Sequence, residues 1–131
     1  MVPVLTKDGA STPIPSGPFN KFGYGIEFSK SGDFNDLKID FDAIAEHLIA
    51  ISSAARKNGV GIKQVIFDND LQELLFKSRR GSELRKLMVF VKWKPWIRHD
   101  EHYHVDFVVE CDDARGRKLK GLKESGRVIE L

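Results

Sequence analysis

The chain has 131 residues, 41% of them hydrophobic and 31% charged, with a formal net charge of +2. That length and apolar content suffice for one domain that buries its core without metal or disulfide support, and the single cysteine, Cys111, excludes an internal disulfide. So small a net charge argues against strong nonspecific nucleic-acid binding, and no apolar run is long enough to span a membrane.

Residues 1–18, rich in Pro, Ser, Thr and Gly, read as an extended arm with little regular structure. They lack the basic start and long apolar core of a secretory signal, so synthesis in the cytoplasm is expected, with action in the periplasm or cell wall only after export or lysis. Residues 23–28 (Gly-Tyr-Gly-Ile-Glu-Phe) form a short strand candidate, and residues 29–36 a polar loop. Between residues 40 and 58, Phe41, Ile44, Leu48, Ile51 and Ala55 recur at three- and four-residue spacing until Asn58-Gly59 stops the pattern, which predicts a long helix. Residues 62–67 predict a strand, and Asp68 or Asn69 can cap a second helix carrying Leu71, Leu74 and Leu75. A third apolar run, Leu84, Leu87, Met88 and Val91, ends at Trp93-Lys94-Pro95-Trp96, where Pro95 forbids a helix. A final strand covers residues 102–111, ahead of an exposed basic tail.

This order predicts a small single-domain α+β fold: an antiparallel sheet packed against one long and one or two short helices. The expected organisation is an arm over 1–18, the domain over 19–111 and the tail over 112–131.

Charge is uneven. Lys77, Arg79, Arg80, Arg85, Lys86, Lys92, Lys94 and Arg98 stand against the lone acid Glu83, a basic segment that would attract carboxylates or phosphates, or simply a solvated helix face. A role in nucleic-acid binding, through this segment and Arg115, Arg117, Lys118 and Lys120, lacks any recognised motif, so nucleic acid is not an expected partner.

Residues 98–107 hold three of the four histidines. On a strand, alternation places His102, His104, Asp106 and Glu110 on one face and Tyr103, Val105, Phe107, Val109 and Cys111 on the other, the core face, where Cys111 is an inert buried thiol. Two imidazoles two residues apart, with His99 just upstream, suit a zinc site or a ligand paired with a general base. The same spacing also fits a half-buried strand with a polar outer face. His47, beside the apolar stripe of the long helix, reads as structural or surface. Trp93 and Trp96 read as core or as a cleft wall, Tyr24 and Tyr103 as core, and Asp33, Asp36, Asp40 and Asp42 as loop or capping residues.

The succession of residues 20–28, a helix, residues 61–67, Trp93-Lys94-Pro95-Trp96 and then residues 99–107 resembles the penicillin-insensitive murein endopeptidases, members of the LAS group of zinc peptidases. The resemblance runs from about Asn20 to Cys111 and is strongest where Trp96 and His99 precede the His-x-His of His102 and His104. It implies an LAS-type fold, Zn²⁺ as cofactor, His104 as a metal ligand, His102 as the catalytic base and His99 as a second polar partner in the cleft. The family's first motif, a histidine and an aspartate seven residues apart that both bind zinc, corresponds to Asn20 and Glu27. Glutamate offers a comparable oxygen, whereas an asparagine amide is a much weaker zinc ligand than imidazole.

The expected activity is hydrolysis of peptide cross-links in peptidoglycan by a monomer. Zinc would polarise the carbonyl, a histidine or carboxylate would take the water proton, and an imidazolium or arginine would steady the oxyanion, with Asp106 orienting a ligand ring; Glu101, turned to the face opposite His102 if the strand has already begun there, is a poorer candidate for the base. The alternative is a catalytically inactive domain of the same fold that binds through a basic, aromatic-lined groove.

Overall fold

The computed structural model describes residues 1–94 and 97–109. Residues 1–18 are not an extended arm. β1 (Pro3–Leu5) and β2 (Ser11–Pro13) pair antiparallel, with Val4 opposite Thr12, and Val2, Val4 and Ile14 are buried in the core. Two of the prolines that suggested a loop, Pro3 and Pro13, lie at strand ends, where a missing N–H is tolerated, and Gly9 turns the hairpin at φ +80°. β3 (Asp33–Phe34) and β4 (Leu37–Ile39) add a second short hairpin, giving a four-stranded sheet ordered β2-β1-β4-β3. The strand expected over 23–28 is absent. In its place a single 3₁₀ turn, Lys21–Gly23, leads into irregular chain whose Ile26 is buried.

Helix α1 (Phe41–Lys57) forms where the apolar spacing predicts it. Asp40 caps its start, accepting from Ala43 N at 3.0 Å, and Gly59 at φ +69° lets the chain turn away after its end. Ile44, Ala45, Leu48 and Ile49 face inward. β5 (Gly61–Ile66) follows, then α2 (Asn69–Phe76), capped by Asp68, and α3 (Gly81–Leu87). Within the third apolar run only the first part is helical. Residues 88–91 run extended beside β5, through Val65 N to Val89 O at 2.8 Å and Val91 N to Val65 O at 2.9 Å.

Arginines of the basic segment pair with acids, two of them brought in from α1 and α2. Arg79 and Arg80 pair with Glu46, Arg80 also with Glu83, Arg85 with Glu73, and the Arg85 guanidinium stacks over Phe76.

β6 (His104–Val108) pairs antiparallel with β5, so the described residues hold two antiparallel sheets rather than one. The strand starts at His104, two residues later than expected, and the register slips between Ile62 and Gln64. Tyr103 and Val105 pack on the core, but Phe107 and Val109 are half exposed, contrary to simple alternation. Their end of the ribbon lies beyond the bulge, past the point where the register shifts. Glu110, Cys111, Pro95, Trp96 and the tail over 112–131 lie outside the described residues. The described residues form a small α+β domain with three helices, none of them long and apolar enough to cross a membrane.

Candidate metal centre

Three hydrogen bonds anchor the irregular chain before β6. Asp68 N donates to His99 O (3.1 Å), Val2 N to Glu101 O (2.9 Å), and Phe28 N to the Asp100 carboxylate (2.8 Å). The start of α2, the first strand and the 26–29 loop thereby fix residues 99–101, and the chain enters β6 with three imidazoles turned toward one another. Ring centroids lie 4.8 Å apart for His99 and His102, 5.0 Å for His99 and His104, and 4.8 Å for His102 and His104. The nitrogens they offer to a metal all lie within 4.8 Å of one another.

That group can hold a metal ion. Two nitrogens at about 2.05 Å from one tetrahedral ion would stand about 3.3 Å apart. Nε2 of His102 and Nε2 of His104 are 3.0 Å apart, close to that spacing. Nδ1 of His99 is 2.7 Å from Ile97 O; a carbonyl can only accept, so Nδ1 carries the proton and Nε2 presents its lone pair. Burial, followed by the neighbouring His99 and His104 rings, pushes the His102 pKa down to about 4, so it is neutral at pH 7, as a ligand must be. His99 is buried, His102 half-buried and His104 exposed, so the group opens to solvent on the His104 side.

Behind the rings lies a second polar layer. Asp100 and Glu101 are buried, and Arg98 sits between them, its Nε 3.0 Å from Asp100 Oδ1 and its Nη2 3.8 Å from Glu101 Oε2. Arg98 also pairs with Glu27 and donates to Tyr24 O (3.3 Å) and Ile26 O (3.1 Å). Glu101 Oε1 lies 3.3 Å from His102 Nδ1. Burial and the adjacent Asp100 push the Glu101 pKa up to about 7, with the Arg98 charge pulling the other way. Glu27, Arg98 and Asp100 line a cavity of about 120 Å³ together with Lys30, Asp68 and Asp70.

Of the residues singled out from sequence, the structure brings His99, His102 and His104 together. Asn20 and Glu27 have other partners. The Asn20 amide staples its own loop, accepting from Gly25 N at 2.8 Å and donating to Pro15 O at 3.2 Å, and Glu27 is held by Arg98. Asp106, expected to orient a ligand ring, accepts from Gln64 Nε2 at 2.7 Å. Tyr24 is exposed rather than core, with its ring edge-on to His102 at 6.3 Å, and Trp93 is exposed as well. His47 is an exposed partner of the Tyr103 hydroxyl. Asp33 and Asp36 pair with lysines, and Asp42 accepts from Arg79 N. The residue that sequence reasoning misplaced is Glu101. Extending the strand back to residue 102 puts it on the far face, yet the apolar alternation begins only at Tyr103, which leaves Glu101 free of strand parity.

Compared with known proteins, the chain matches no family model, no curated protein and no solved structure.

Proposed function

We propose that the chain is a zinc-dependent hydrolase of the LAS peptidase type, acting on peptide cross-links of peptidoglycan, with His99, His102 and His104 as the protein ligands. The convergence of these three imidazoles carries the reading. Three protein ligands with one position left for water or substrate is the usual arrangement of a catalytic zinc. In this assignment His99 and His102 act as ligands, and Asn20 and Glu27 shape and anchor the loop beside them. Zinc bound there would supply Lewis acidity toward a peptide carbonyl and an activated water. The chain itself holds the His99 ring by a backbone carbonyl, leaves the His104 side open to a substrate, and offers the Tyr24 ring beside His102. The neighbouring cavity presents both carboxylates and cations to the charged groups of a short peptide. Peptidoglycan as substrate rests on the resemblance of residues 20–28, 61–67 and 93–107.

Metal analysis and an activity assay test this together. We expect one zinc per chain in the wild type, a loss of stoichiometric zinc in His104→Ala, and cleavage of purified cross-linked muropeptides by the zinc-loaded protein alone. A wild-type chain without stoichiometric zinc overturns the proposal. Stoichiometric zinc without cleavage would instead support the second reading, a non-catalytic binding module, which is favoured by the engagement of both the oxygen and the nitrogen of the Asn20 amide within its own loop.

A further inference from the structure

Glu101 is 1% exposed, and nothing in its surroundings requires a carboxylate for packing alone. Its backbone carbonyl, not its side chain, takes Val2 N. Desolvating a carboxylate costs several kcal/mol before any partner compensates, so an acid at this position calls for a task. The geometry supplies one. Oε1 stands 3.3 Å from Nδ1 of His102, a gap that a small rotation of the ring converts into a hydrogen bond, while Nε2 on the opposite edge of the same ring faces Nε2 of His104 at 3.0 Å. Both nitrogens of His102 are thus committed in opposite directions. Arg98 stands behind the carboxylate, 3.8 Å from Oε2, and is itself tied to Asp100 and to the carbonyls of Tyr24 and Ile26, so a fixed cation backs the acid although Oε2 takes no hydrogen bond.

We propose that Glu101 is the positioning residue of the three-histidine centre, fixing the His102 ring with its Nδ1–H toward the carboxylate and its Nε2 toward the shared metal point. His99 obtains the same orientation from the Ile97 carbonyl, which no substitution removes. His102 obtains it from a side chain, so its alignment can be broken by a single change. Partners of this kind fix the tautomer and raise ligand basicity, and their loss costs about 10–100-fold in metal affinity. The proposal rests on the metal-centre reading above.

The experiment reads two things on the full chain: the tautomer of His102 by ¹⁵N NMR of the metal-free protein, and zinc affinity by competition with a chelator. In the wild type, His102 is expected as the Nδ1–H tautomer. Glu101→Gln keeps an acceptor oxygen and should keep that tautomer, with less than about a tenfold loss of zinc affinity. Glu101→Leu keeps the bulk, removes the acceptor, and should shift His102 toward the Nε2–H form with about 10–100-fold weaker zinc binding. A Glu101→Leu chain with unchanged tautomer and affinity overturns the proposal, as does a wild-type His102 protonated on Nε2. Where Glu101→Leu does not fold, the wild-type tautomer and the Glu101→Gln affinity decide. A wild type that binds no zinc but keeps Nδ1–H on His102 overturns the three-histidine centre and leaves the orientation by Glu101 standing.

Discussion

Two neighbouring regions of this protein are built on opposite principles. Around α1, β5 and α2, the side chains of Ile44, Leu48, Val65, Phe67, Leu71 and Leu75 are at most 1% exposed and apolar, and buried Gln72 is satisfied by the carbonyls of Phe67 and Val91. One step away, His99, Asp100 and Glu101 are consecutive, polar and buried in chain with no regular structure. The regions touch where the Phe67 ring meets Tyr103 edge-on at 6.4 Å. Burying apolar area stabilises wherever it occurs, whereas burying charge is at best neutral and is useful for what it positions. The first region therefore holds the fold together, and the second holds the histidines in place at the fold's expense.

The contrast can be broken most forcefully in the core. Phe67→Ala should lower the unfolding free energy by about 3–5 kcal/mol, the range for removing a fully buried aromatic ring, as measured by urea denaturation. A loss below about 1 kcal/mol would mean that the apolar region is not the main source of stability. Zinc sharpens the comparison from the other side. At free zinc 100 times its Kd, binding to the folded state alone should raise the unfolding free energy by about 2.7 kcal/mol, and His104→Ala or added chelator should abolish the gain. Stabilisation that survives His104→Ala would place the ion elsewhere. Arg98→Ala comes next. It leaves the carboxylates of Asp100 and Glu101 buried without their cation and should cost about 2 kcal/mol, less than the 3–5 kcal/mol for a fully buried pair because the guanidinium is 37% exposed. A neutral result would show that solvent already screens the cluster.

The same division decides what could be read from sequence. α1 was legible with its caps because apolar spacing, Asp40 and Asn58-Gly59 all act within one segment, and β5 and α2 followed from equally local signals. The hairpin of β1 and β2 was not. Val2, Val4 and Ile14 are few, they sit among prolines, and their burial depends on pairing with β4 more than thirty residues away. At the site, the histidines announced themselves by rarity and spacing, but their partners did not. Strand parity placed Asp106 beside the ligands and Glu101 away from them, while the chain before His104 follows the bonds to Val2, Phe28 and Asp68, which no local pattern encodes.

The finest distinction between the regions is in pH dependence, where the core should be silent and the polar cluster should hide its response by cancellation. Glu101, raised to about 7 from an ordinary 4.5, holds a proton in the folded state that the unfolded chain gives up; its contribution is full below pH 4.5 and lost as pH rises through 7. His102, lowered to about 4 from 6.5, refuses a proton that the unfolded chain accepts, so its contribution is full above pH 6.5 and lost as pH falls through 4. Between pH 4.5 and 6.5 the folded and unfolded states of this pair bind the same number of protons, and the metal-free wild type should show almost no slope from it. Single substitutions expose the two halves. Relative to wild type, Glu101→Gln should gain stability with rising pH between 4.5 and 7, and His102→Gln should lose it between 4 and 6.5. A flat difference curve for either substitution would show that its group titrates as it does in the unfolded chain, and that the cluster is less sealed from water than its burial implies.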